Sequence, residues 1–133
     1  MTTTTPATET SRTVSVQGVR SFPLGQPSGL EGGPPGALGN VVATNVLAGS
    51  CGTPYLNLTI TGFALTTDTP AVVLLQPRQS DNQDNGWFDE FAVQVITTSA
   101  SEILAKIRRL DSDSGWGQDL QLDIFIVDDV LNP

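Results

Sequence analysis

Residues 99–110, SASEILAKIRRL, decide between an all-β chain and one with a helix set among its strands. Read as a helix, the segment opens on a capping-box pattern, Ser99 with Glu102, and places Ile103, Ile107 and Leu110 at helical spacing. Read as a strand, it turns Ile103, Ala105 and Ile107 inward and Lys106 and Arg108 outward, with Leu104 left on the outer side. Local propensity leans to the helix. The surrounding segments lean to the strand, because a lone helix inside a series of hairpins would break the sheet.

Those surrounding segments read as short strands separated by turn chemistry. Residues 119–128, DLQLDIFIVD, put Leu120, Leu122, Ile124 and Ile126 on one face. Their opposite face begins polar, with Gln121 and Asp123, and ends apolar, with Phe125 and Val127, which predicts cover on both sides at that end. Residues 56–61 alternate Leu58 and Ile60 with Asn57, Thr59 and Thr61, and residues 91–97 alternate again. Residues 71–75 form a continuous apolar run between Pro70 and Pro77, and SDNQDNG at 80–86 is a loop. The fold class expected is all-β, a small antiparallel β-sandwich over residues 51–133. Phe125, Val127, Val73 and Leu75 are more apolar surface than one sandwich core hides, so they are expected at an oligomer interface.

Residues 1–50 differ in composition, being rich in Thr, Gly and Pro. The run 22–40, FPLGQPSGLEGGPPGALGN, holds too many glycines and prolines for a helix or a central strand. It is expected to be an extended arm, with short strand-forming segments at 13–19 and 41–47. Val14, Val16, Phe22 and Leu24 are its candidate docking residues on a neighbouring subunit.

At 133 residues the chain is long enough for one domain with a modest core and too short for two. Six basic against 14 acidic residues give a net charge of −8, which repels a phosphate backbone. Lys106 is the only lysine and the arginines are scattered, so no polybasic membrane patch is formed. No stretch approaches the ~20 apolar residues of a membrane helix, and the threonine-rich residues 1–13 lack the basic flank and apolar run of a signal peptide. The sequence contains no histidine and a single cysteine, Cys51. That removes histidine triads, histidine-ligated zinc, CxxC redox chemistry and an internal disulfide, and agrees with a reducing cytoplasm as the place of synthesis. No metal or cofactor is expected, and the chain is read as a binding or structural protein rather than an enzyme.

Several motifs resemble chemistry and also fit simpler roles. DSDSG at 111–115 begins like a calcium loop, but its twelfth position is Leu122 where a bidentate Glu is needed. Asp89 with Glu90, and Asp128 with Asp129, are adjacent acids with nothing to place them across a cleft. Asn57-Leu58-Thr59 matches a glycosylation acceptor without a secretion signal. Cys51 has no basic neighbour to activate it. Trp116, between Gly115 and Gly117, admits two readings: an accessible indole that stacks on a sugar ring, with Gln118 and Asp113 beside it, or a packing residue. Trp87, next to Phe88, admits the same two.

The order of segments from 56 to 128, just over half the chain, resembles the H-type lectin family. It runs LNLTITGFALTTDTPAVVLLQP, the polar loop, FAVQVITTSASEILAKIRRL, a turn holding Trp116, and LQLDIFIVD. The resemblance implies a small antiparallel sandwich that associates as a trimer and binds sugar near the subunit boundaries. It also implies an aromatic–histidine step in the tryptophan turn and an arginine after the variable loop. Trp116 fits the aromatic, but Gly117 stands in the histidine's place and Glu90 near the arginine's. These departures favour a retained scaffold over a retained sugar site. The function expected is a non-enzymatic virion structural protein, a homotrimeric capsid decoration or tail-associated protein. Its partners would be coat or tail subunits of a particle assembled in a host cytoplasm. The rival expectation is a carbohydrate-binding adhesion module for surface glycans.

Overall fold

The computed structural model describes residues 9–25, 37–80, 90–111 and 114–128. They form eight strands: β1 (Glu9–Ser15), β2 (Gln17–Gly25), β3 (Ala37–Cys51), β4 (Tyr55–Thr61), β5 (Val72–Gln79), β6 (Phe91–Thr98), β7 (Ile103–Arg109) and β8 (Trp116–Asp128). Two four-stranded sheets result, one in the order β1-β4-β7-β6 and the other β2-β3-β8-β5. The chain is an all-β sandwich. Every pairing is antiparallel except β1 with β4, which is parallel.

Period-two alternation builds the core between the sheets. Leu56, Leu58 and Ile60 on β4 and Ile103, Ala105 and Ile107 on β7 are fully buried on one side. Val42, Val46 and Ala48 on β3 and Leu120, Leu122, Ile124 and Ile126 on β8 meet them from the other. Residues 103–109 are therefore a strand, in register with β4 from Ile60–Ile103 to Tyr55–Arg108. The Ser99 and Glu102 pattern that fits a helix cap closes the β6–β7 hairpin instead: the Ser99 amide donates to the Glu102 carbonyl at 2.8 Å.

The described part of the leader, residues 9–25 and 37–50, belongs to the sandwich rather than to an arm outside it. β3 runs through the expected boundary at residue 50, and residues 9–51 supply one strand to the first sheet and two to the second. Val14, opposite Ile60, and Val16, expected as docking residues, are half-buried against this chain's own core. The reason is visible in β1 itself, ETSRTVS, where Thr10, Arg12 and Val14 alternate inward beside the apolar face of β4. The Arg12 guanidinium reaches across to the carbonyls of Ala48 and Ser50 on β3, tying the two sheets together at this end. Only Val16 separates β1 from β2, so the chain changes sheet in one step. Gly62 makes room for that crossing. Its φ of +95° suits glycine, and a Cβ there would collide with Ser15 Oγ.

Candidate functional site

The tryptophan turn does not offer a stacking platform. Trp116 is only 3% exposed, a core residue at the first position of β8. Its Nε1–H donates to the Gly49 carbonyl at 3.0 Å, and Phe91 meets it edge-on with ring centroids 5.1 Å apart. The flanking glycine has a packing cause rather than a ligand-access one: a Cβ on Gly115 would run into the backbone of Cys51. Arg109 fastens the same turn, with Nε on Asp111 and a guanidinium N–H on the Gly115 carbonyl, each at 2.7 Å. The Arg109 bond holds the Asp111 carboxyl below the usual carboxylate range. Gln118 is half-buried on β8, while Asp113 and Trp87 lie outside the described residues. The sugar site expected around Trp116 therefore lacks its central ring face, because the indole is spent on closing the core.

The outer face of the second sheet is where exposed apolar side chains gather. Register places Phe22, Val41, Val127 and Val72 in one row across all four strands. Arg20, Ala43, Phe125 and Leu74 form the next row. Phe22 is 52% exposed, Leu74 57%, Phe125 42% and Val72 39%. These side chains form one contiguous exposed apolar patch across the sheet. A depression of about 440 Å³ lies beside Phe125, lined by Ala43, Leu74, Gln76 and Asp123 among others, all on strands of this sheet. The next row, Asn45, Asp123 and Gln76, is polar, with Arg78 and Asp123 paired at 2.6 Å and Gln121 donating to Asp123 at 3.0 Å, and an exposed Leu47 stands opposite Gln121.

Of the expected interface residues, Phe125 and Val127 lie on this outer face. Val73 and Leu75 do not: they oppose Ile126 and Ile124 and pack against the core. Strand β5 begins VVLL, and a run apolar at every position conceals which alternate set faces in. Val72 and Leu74 are the outward set. The signal that finds them is pairing with β8, whose own outward residues are marked by Gln121 and Asp123. Of the expected docking residues of the leader, Phe22 is exposed on the outer face, and the Leu24 side chain lies outside the described residues.

The first sheet's outer face is of different character. Tyr55 has Lys106 and Arg108 each 5.3 Å from its ring centre, and Lys106 pairs with Glu9 at 2.6 Å. The Lys106 hydrogen bond lowers the Glu9 carboxyl from its usual value. Elsewhere, the buried Asp128 carboxylate accepts from the amide and hydroxyl of Thr66 at 2.8 and 3.0 Å, and the Cys51 thiol is buried beside Thr53. Both serve packing. No family model, curated protein or solved structure matches the chain.

Proposed function

We propose that this chain is a non-enzymatic structural subunit of a virus particle, a trimeric capsid-decoration or tail-associated protein that acts by contact. The observation that supports this reading is the double apolar row on the outer face of the second sheet. A surface of that kind is stabilised by burial against neighbouring subunits. The acidic, histidine-free composition agrees with a role in assembly rather than catalysis. A subunit that binds the closed shell and not its opened form raises the free energy of opening through binding linkage, by about 2.7 kcal/mol at a hundredfold excess over Kd.

The test is location and docking. An antibody to the recombinant chain should label particles purified from the source culture, and recombinant protein should co-sediment with particles stripped of it. Replacing Phe125 with Asp should reduce co-sedimentation at least tenfold while leaving the melting transition in place. Finding the chain only in the soluble fraction would overturn the proposal. So would specific glycan-array binding that survives Phe125→Asp.

A further inference from the structure

The inference rests on the contact role just proposed for the outer face of the second sheet and deepens it by naming what covers that face. Phe22 stands exposed on edge strand β2, while the depression lies mainly over β8 and β5, with Ala43 and Thr44 of β3 on its near side. A two-fold axis parallel to the sheet, running between the central strands β3 and β8, lays β2 of each copy over β5 of the other. Phe22 of each copy then covers Val72 and Leu74 of the other, the exposed apolar residues of β5. Arg20, two residues from Phe22 on the same face of β2, comes over the depression. One symmetric contact thus covers Phe22, Val72, Leu74 and Phe125 together.

Charge selects a second copy as the occupant. Among the described residues Arg20 is exposed and has no acidic partner. The depression holds the complementary group: Asp123 lines it, and its side chain stays 40% exposed beside Arg78. A carboxylate accepts from more than one cation, so Arg20 of each copy can complete Asp123 of the other. Copies of a chain with net charge −8 repel one another over most of their surface. Across the three rows from Phe22 to Asn45 the only charges are Arg20 and Asp123, which balance, so two copies approach here without setting acid against acid. Projection, recess, cation and anion each find their match on the same face, and such self-complementarity marks an isologous contact. We infer that this face is a two-fold interface between copies of the chain, in which Phe22 of each covers Val72 and Leu74 of the other and Arg20 of each pairs with Asp123 of the other. The pairing is independent of a three-fold grouping, which would use another surface. It also makes docking depend on Phe125, because linked copies hold a particle more tightly than one.

Cysteine cross-linking tests this directly. Within one copy, Phe22 and Val72 share a row and stand three strand spacings apart, about 14 Å, whereas packed sheets lie about 10 Å apart. The native Cys51 thiol is buried and does not compete. A bis-maleimide chosen to span only the shorter distance should join Phe22→Cys chains to Val72→Cys chains when the two are mixed, and should leave each variant alone largely unjoined. A chain carrying both substitutions should give a covalent species that stops at two copies, because both links of a two-fold contact join the same pair. Light scattering on the unmodified chain should report two copies, or six where a three-fold grouping is also present. Arg20→Glu, which sets acid against Asp123, should weaken pairing at least tenfold in sedimentation equilibrium and leave the far-ultraviolet dichroism spectrum unchanged. A mass of one or three copies, no joining in the mixture, a covalent ladder running past two, efficient self-linking of Phe22→Cys alone, or pairing untouched by Arg20→Glu would each overturn the inference. Its failure is separable from that of the preceding reading: a one-copy protein that still docks on particles through Phe125 sinks the pairing alone. A paired protein absent from particles sinks the virion role alone.

Discussion

Gly115 and Gly117 flank the same tryptophan and carry opposite constraints. A Cβ on Gly115 meets the Cys51 carbonyl and the Gly52 backbone, whereas one on Gly117 meets nothing within 4 Å. Backbone atoms cannot swing aside as a side chain does, so Gly115→Ala should cost about 1–3 kcal/mol or more by overpacking. Gly117→Ala should stay within about 0.5 kcal/mol. Urea unfolding of the two variants measures the difference, and equal midpoints would show that the turn is looser than its contacts imply. Trp116→Phe keeps most of the apolar volume but leaves the Gly49 carbonyl without its donor, a loss of about 1–3 kcal/mol. In the sequence, GWGQ signalled a special turn and left its purpose open, because a glycine that admits a ligand and one that admits a backbone look alike.

Strand β1 is held by three different means. It has a parallel ladder to β4 on one side, the Glu9–Lys106 pair over the first sheet, and Arg12 reaching to β3. Arg12→Ala removes a charged donor from two carbonyls and should destabilise the fold by about 1.5–3 kcal/mol, with faster amide hydrogen exchange concentrated in β1. Uniform acceleration across both sheets would argue that the guanidinium acts on global stability rather than on this strand. Glu9 and Asp111, both held below their ordinary values by a basic partner, contribute an acid-sensitive share of stability. At these two carboxyls the folded state therefore binds fewer protons than the unfolded one. The contribution is present above the unfolded pKa values and is lost as pH falls from about 5 toward 3. Lys106→Met and Arg109→Gln together should flatten the urea midpoint over that window. Elements with clean alternation, β4 and β8, were legible from sequence alone. The inward face of β5 was not, since four consecutive apolar residues satisfy either parity, and only the register with β8 selects Val73 and Leu75 for the core.

For the molecule as a whole, composition misplaced the leader. Gly, Pro and Thr between residues 1 and 50 signal an arm, yet the described part of that stretch supplies the inter-sheet crossing and the central strand β3. Glycine and proline content reports local backbone freedom; it carries no information about pairing with strands eighty residues away, such as Val42 with Ile126. The two views give opposite outcomes on truncation. If residues 1–50 were a tether, a chain beginning at Cys51 would fold as an intact sandwich. In the structure that cut removes β1, β2 and nearly all of β3, leaving β8 paired on one side only and stripping Val42, Val46 and Ala48 from the core. Burial of a valine contributes about 1.5–3 kcal/mol and the whole domain holds about 5–15 kcal/mol, so three lost strands exceed the available margin. The 51–133 fragment should show no cooperative thermal transition and should bind hydrophobic dyes. A sharp melt from that fragment would return the leader to the status of an arm and dissolve the face on which Phe22 stands beside Val41 and Val127.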